Sequence, residues 1–211
     1  MKKLYFSAIL FLFCLSGYAQ DILSVNFSQN YARFKFVSSE GQKDKDIITD
    51  IKSCYGFSYA KIFNSGFMVR PELGYKNNGA TSVTDIGNKI QWNLHYLDFN
   101  VGLGYRYIRT KLQPYGGISL YSSYMFKADQ TIGTTYYNLY KYGNLKKGDF
   151  GIIPFLGVGY KFSDLITLSL EYRNSTGLVQ LEKGSGQKLF NRTNSIQFGL
   201  GFYIINVKKE E

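Results

Sequence analysis

The sequence predicts an all-β fold, eight strands in an antiparallel up-and-down barrel that crosses a membrane. Three observations carry that prediction. Segments of polar–apolar alternation recur along the chain, their connections alternate between short and long, and the polar strand faces hold charges of both signs. Alternation with a period of two separates the faces of a strand, whereas a helix would repeat every 3.6 residues.

The chain begins MKKLYFSAILFLFCLSGYAQ. Lys2 and Lys3 form a basic start, Leu4 to Leu15 an apolar stretch, and Gly17-Tyr18-Ala19 a small-x-small cleavage site before Gln20, the pattern of a secretory signal peptide. The apolar stretch is too short to span a bilayer as a helix. Cys14 lacks a lipoprotein context, so cleavage without lipidation is expected. Residues 1–19 are therefore read as signal peptide, and 20–211 as one barrel domain. Cleavage leaves Cys54 without a disulfide partner, so the fold is expected to hold without covalent staples. It also removes two lysines, taking the formal charge from +10 to +8. The remaining basic residues are scattered, which argues against a nucleic-acid partner. No later apolar run is long enough for a transmembrane helix, while 19 Tyr and 17 Phe against 3 Pro favour strands.

The eight expected strands lie at 22–37, 53–63, 66–77, 90–107, 113–127, 149–162, 165–176 and 193–206. Several reach the roughly 9–11 residues that a tilted strand needs to cross a bilayer. Short connections fall at Asn64-Ser65, 108–112 and Ser163-Asp164. Long polar ones fall at 38–52, 78–89, 128–148 and 177–192. Outer-membrane barrels separate loop lengths by end in this way, with short periplasmic turns and long outside loops.

Loop segregation orients the faces. Phe67, Val69, Pro71, Leu73 and Tyr75 oppose Met68, Arg70, Glu72, Gly74 and Lys76. Leu97, Phe99, Val101, Leu103 and Tyr105 oppose Asp98, Asn100 and Arg106. Ile166, Leu168, Leu170 and Tyr172 oppose Thr167, Ser169, Glu171 and Arg173. With the apolar faces in lipid, Arg70, Glu72, Asp98, Arg106, Glu171 and Arg173 converge in one narrow lumen and neutralise one another. An eight-stranded barrel is wide enough to be filled by side chains rather than to conduct freely. The alternative is a lipocalin-like soluble barrel with those charges in water. Gly102-Leu103-Gly104-Tyr105, Gly157-Val158-Gly159-Tyr160 and Gly199-Leu200-Gly201-Phe202 repeat one pattern, with glycines expected in the lumen and aromatics in an interfacial girdle.

Catalytic and metal patterns are sparse. His95 is the only histidine, and no serine accompanies it on its strand face, so it is read as an interfacial residue at the outer end of its strand. Glu72 and Glu171 form a conceivable acid–base pair, but Arg70 and Arg173 make structural ion pairs the expected role. No cofactor or metal is expected. In the third long loop, Tyr136, Tyr137, Tyr140 and Tyr142 beside Lys146 and Lys147 form a candidate binding surface. The competing reading is that these tyrosines extend strands and pack on one another.

Three motifs, Arg70-Pro71-Glu72-Leu73-Gly74-Tyr75-Lys76, the stretch from Leu94 to Tyr107, and Leu112-Gln113-Pro114-Tyr115-Gly116-Gly117, together resemble the PorT-type outer-membrane β-barrel domain family of Bacteroidota. Asn100 stands where that family commonly carries proline. In the last strand Gln197, Gly199, Phe202 and Ile204 resemble the signal read by the barrel-assembly machinery, although Asn206 to Glu211 follow it. The resemblance implies an outer-membrane location and no single activity. The expectation is thus a non-enzymatic barrel in contact with outer-membrane lipid, its loops binding a partner or ligand. A narrow transport or secretion-accessory channel is the alternative, with a lipid-modifying enzyme around His95 behind it.

Overall fold

A computed structural model describes residues 19–37, 48–83, 87–142, 145–182 and 188–204. Of the signal peptide assigned to residues 1–19 all but Ala19, the first residue of the first strand, lies outside them, as do the residues after 204. The elements are β1 (Ala19–Val37), β2 (Asp50–Phe63), β3 (Phe67–Val83), β4 (Lys89–Arg106), β5 (Leu112–Ile132), β6 (Thr135–Asn138), α1 (Leu139–Tyr142), β7 (Gly148–Lys161), β8 (Ile166–Gly177) and β9 (Lys188–Ile204). Of these nine strands β6 pairs with β5 alone. The other eight close a ring in which β1 joins β9 and every neighbouring pair is antiparallel. Closure leaves no strand edge, the condition for a sheet inside hydrocarbon.

The faces fall as lipid would sort them. Leu97 and Phe99 are 53% and 49% exposed, while Asp98 and Asn100 are 6% and 4%. The same inversion runs around the ring: Phe27, Phe57, Leu73, Leu120, Leu156, Leu170 and Phe198, one on each other strand, all point outward. A soluble barrel would show the reverse, and a continuous apolar belt of this size marks a membrane-facing surface.

The strands outrun their sequence-based limits. β3 continues to Val83, β5 to Ile132, and β9 starts at Lys188, where the alternation gave 77, 127 and 193. Beyond the lipid neither face needs to be apolar, so the alternation fades while backbone pairing continues. The four long connections shrink accordingly. The third holds a hairpin of β5 with β6, turning at Gly133 with φ 58°, and then α1. At the opposite end the β2–β3 turn uses Gly66 with φ 90°, a left-handed conformation that favours glycine. Its carbonyl accepts a hydrogen bond from the Arg106 amide at 2.8 Å, tying that turn to β4.

Apolar layers fill the interior near both ends. Toward the short turns pack Ile22, Ile62, Met68, Tyr115 and Phe155. Toward the long loops pack Phe34, Leu94, Tyr96, Met125, Leu181 and Leu189. The repeated glycines create the room this filling needs. A Cβ on Gly157 would lie 2.6 Å from the Tyr115 ring, and one on Gly159 would collide with the Arg106 guanidinium. Tyr105, Tyr160 and Phe202 point outward beside them, as the girdle requires.

Gly157→Val is therefore expected to destabilise the barrel by about 1–3 kcal/mol through overpacking against Tyr115. Urea unfolding in detergent micelles, followed by the heat-dependent gel shift, reads the loss.

Candidate functional site

Four of the six charges assigned to the lumen form one chain of ion pairs. Arg70 donates from Nη1 and Nη2 to the two Glu171 carboxylate oxygens at 2.6 and 2.9 Å. Arg173 donates to Glu72 in the same two-pronged way at 2.7 and 2.6 Å, and its Nε also donates to Glu171. The order Glu72–Arg173–Glu171–Arg70 is electrically neutral. Planar guanidinium–carboxylate forks are the geometry in which buried charges come closest to balancing their desolvation.

The topology explains why these residues meet. β3 and β8 stand four strands apart in the eight-strand ring, on opposite walls, and both run away from the short turns. Side chains two residues apart share a face. Arg70-x-Glu72 therefore looks across the lumen at Glu171-x-Arg173, with opposite charges level with each other. The Arg70 guanidinium also lies 4.4 Å above the Phe155 ring, sealing the chain against the apolar layer.

Asp98 and Arg106 do not join this chain, which corrects the expectation of a single six-residue network. Asp98 accepts a hydrogen bond from Ser123 and lies 3.9 Å from the Lys76 ammonium. Lys76, on the lumen face of β3, in turn sits 4.1 Å from the Tyr121 ring. Arg106 is nearer the short turns, donating to Gln113 at 2.9 Å and Thr167 at 3.2 Å, with its guanidinium 5.4 Å from the Tyr115 ring. Distance along the lumen separates these groups, because strand faces carry side chains at several heights. Asp149 was not anticipated either. It accepts from Tyr121 at 3.0 Å and Asn191 at 2.8 Å. Between the ion-pair chain and these residues lies a polar cavity of about 50 Å³, lined by Asn26, Ser28, Asn30, Cys54, Lys76 and Asp98 among others. Its size and lining suit a few waters. Cys54 is a buried free thiol that accepts a hydrogen bond from Asn30 at 2.8 Å.

Toward the long-loop end, on the outside of the wall, His95 meets partners that lie far from it in sequence. Its Nδ1 contacts the Tyr75 hydroxyl and its Nε2 lies 3.9 Å from Asp129, which also accepts from Lys127 at 2.9 Å and from the Tyr136 hydroxyl. Tyr75 and Phe126 pack against its ring, and Tyr55 stacks on Tyr75. A register shift between β4 and β5 at His95/Tyr96 brings Lys127 opposite His95. That irregularity hid the cluster from a strict reading of alternation.

The loop tyrosines divide between strand and helix. Tyr136 and Tyr137 do extend strand pairing, within β6, yet remain 56% and 46% exposed. Tyr140 lies in α1, where Lys147 donates to its hydroxyl at 2.9 Å and lowers the phenol from its ordinary value. The hydrogen bond to Asp129 holds the Tyr136 phenol above its ordinary value. Lys146, next in sequence to Lys147, is exposed, and the Tyr142 side chain lies outside what the structure describes. In the last strand Gln197 and Gly199 face the lumen, and Phe202 and Ile204 face out.

Comparison with known proteins agrees with this architecture. Residues 7–203 match the family described as outer membrane protein beta-barrel domain. Among solved structures the chain is similar to the outer membrane protein OprG of Pseudomonas aeruginosa, at 14% identity and TM-score 0.60, covering 88% of this chain and 96% of that one. It is also similar to Neisserial surface protein A, at 15% identity and TM-score 0.52, covering 86% and 97%. A third is Ail of Yersinia pestis in complex with the heparin analogue sucrose octasulfate, at 13% identity and TM-score 0.50, covering 88% and 99%. No curated protein matches the sequence.

Replacing Glu171 by Gln strips the shared carboxylate from two buried arginines and is expected to cost about 3–5 kcal/mol. Arg106→Gln, which loses only neutral partners, is expected to cost less, about 1–3 kcal/mol. Side-by-side urea midpoints of the two variants in micelles check the ranking.

Proposed function

The chain belongs to the outer membrane protein β-barrel domain family and sits in the bacterial outer membrane, and from that premise we propose that it is a closed barrel presenting a binding surface outside the cell, rather than a pore. The observation that carries this reading is the cross-lumen ion-pair chain between β3 and β8, backed by apolar layers toward each end. With the lumen so filled, the chemistry left for a partner lies on the loops. There β6 and α1 hold Tyr136, Tyr137 and Tyr140 near Lys146 and Lys147, a combination of rigid aromatic area and positive charge suited to an anionic partner. The sulfated ligand in the Ail complex makes a sulfated polysaccharide a suitable first probe. Biogenesis on this reading goes through the barrel-assembly machinery, with Gln197, Gly199, Phe202 and Ile204 as the signal.

A PorT-type secretion-accessory role is the second reading. The three motifs quoted above favour it, and the first of them contains Arg70 and Glu72 of the ion-pair chain.

Proteoliposomes of the wild-type chain are expected to give no swelling in arabinose. The Tyr136→Ala, Tyr137→Ala, Lys147→Gln triple variant is expected to bind heparin roughly tenfold more weakly than wild type, a loss typical of removing aromatic and cationic anchors. Swelling would favour the channel reading, and equal heparin binding by the two proteins would remove the loop surface from the account.

A further inference from the structure

The outward face at the β1–β9 seam changes character row by row away from the short turns. Phe27 lies opposite Phe198, Gln29 opposite Ile196, Tyr31 opposite Asn194, and Arg33 opposite Arg192. Lys35 follows two residues later on the same face of β1, and Arg33, Lys35 and Arg192 are all exposed. Like charges directly opposite one another on a sheet face are destabilising. Among the described residues, nothing offsets this pair. No acidic side chain occupies the outward positions of β1, β9 or the adjoining β8 at these rows. On the other side of β1, Asp50 is already engaged by Lys52 at 2.8 Å and Gln91 at 2.9 Å.

The height of the pair identifies what would relieve it. Arg33 is six residues beyond Phe27, about 20 Å along a strand rising roughly 3.3 Å per residue, which at a barrel-strand tilt of about 40° is about 15 Å of height. That carries the guanidiniums past the apolar band to the level of the outer-leaflet headgroups. We propose that Arg33 and Arg192 clamp the phosphate of an outer-leaflet phosphorylated lipid, with Lys35 above it and the acyl chains lying along the Phe27–Phe198 wall. A phosphate between two guanidiniums converts repulsion into charge-assisted hydrogen bonds, and arginine's fixed fork suits phosphate oxygens. A lipid is favoured over a free anion because the basic row stands on the same outward face as the apolar wall, beyond two intervening rows of amide, tyrosine and isoleucine side chains. This inference rests on the membrane placement and is independent of the loop-binding reading.

The test uses the full mature chain refolded into neutral detergent, with and without added lipid A in bis-phosphorylated or enzymatically dephosphorylated form. Native mass spectrometry counts retained lipid, and thermal unfolding reads stability. Wild type is expected to retain phosphorylated lipid A roughly tenfold better than the dephosphorylated form, a preference that Arg33→Gln/Arg192→Gln abolishes and Lys61→Gln, at the short-turn end, preserves. The stability effect should change sign. In neutral detergent alone Arg192→Gln should melt above wild type, because repulsion is relieved, and with phosphorylated lipid A it should melt below. Excess inorganic phosphate should not displace the lipid. Equal retention of the two lipid forms, retention unchanged in the double variant, or displacement by inorganic phosphate would overturn the proposal. A chain that failed to enter micelles or bilayers at all would instead refute the membrane placement.

Discussion

Every backbone N–H and C=O within hydrocarbon must find its partner inside the chain. Most of the architecture follows from that constraint. A sheet meets it only by closing, and closing with eight strands sets a lumen whose width matches the reach of two facing side chains. The lumen is then neither a pore nor an oil-like core. Its wall positions alternate with lipid-facing ones, so the sequence that makes the outside apolar makes the inside polar. Polar residues in so narrow a space must be mutually satisfied, and the ion-pair chain of Arg70, Glu72, Glu171 and Arg173 does this across the full diameter.

The interior therefore works as a stack of layers with different physics. Packing dominates near the ends, where Phe155 and Tyr115 fit against glycines on one side and Tyr96 and Met125 pack on the other. Charge neutralisation dominates in the ion-pair layer, and hydration in the small cavity beside it. The outer surface is layered too. The apolar belt gives way to amides and tyrosines and then to arginines at the β1–β9 seam, while on β4 and β5 it gives way to the His95–Asp129 cluster.

Much of this was legible in the sequence, for a stated reason. A strand in lipid is forced to alternate, so Leu97, Phe99, Asp98 and Asn100 declared their faces, and the short turns declared the topology. Arg70, Glu72, Glu171 and Arg173 could be placed in the lumen, but their specific partners could not be read, because that depends on which strands face each other across the ring. Arg106 and Asp98 were grouped with them only because alternation gives a face and not a height. The strand extensions beyond 77 and 127 carry no period of two, because small and polar residues such as Asn78, Gly79, Thr81, Asp129 and Gln130 occupy successive positions there. Asp129 was lost for a different reason: the register shift at His95/Tyr96 breaks the parity on which the reading depended.

The facing pairs on β3 and β8 also act as a gauge of ring closure. A barrel is defined by its strand number together with the stagger accumulated around the circumference. Main-chain hydrogen bonding is indifferent to a stagger that is off by two residues, because each strand's faces are preserved. The side chains are not indifferent: sliding β8 by two positions toward its start sets Arg173 against Arg70 and leaves Glu72 facing Ser175. The sequences Arg-Pro-Glu and Glu-Tyr-Arg thus encode the circumferential geometry of the whole molecule in four charges. Alternative closures that would pair equally well along every strand are penalised at a single point on the diameter.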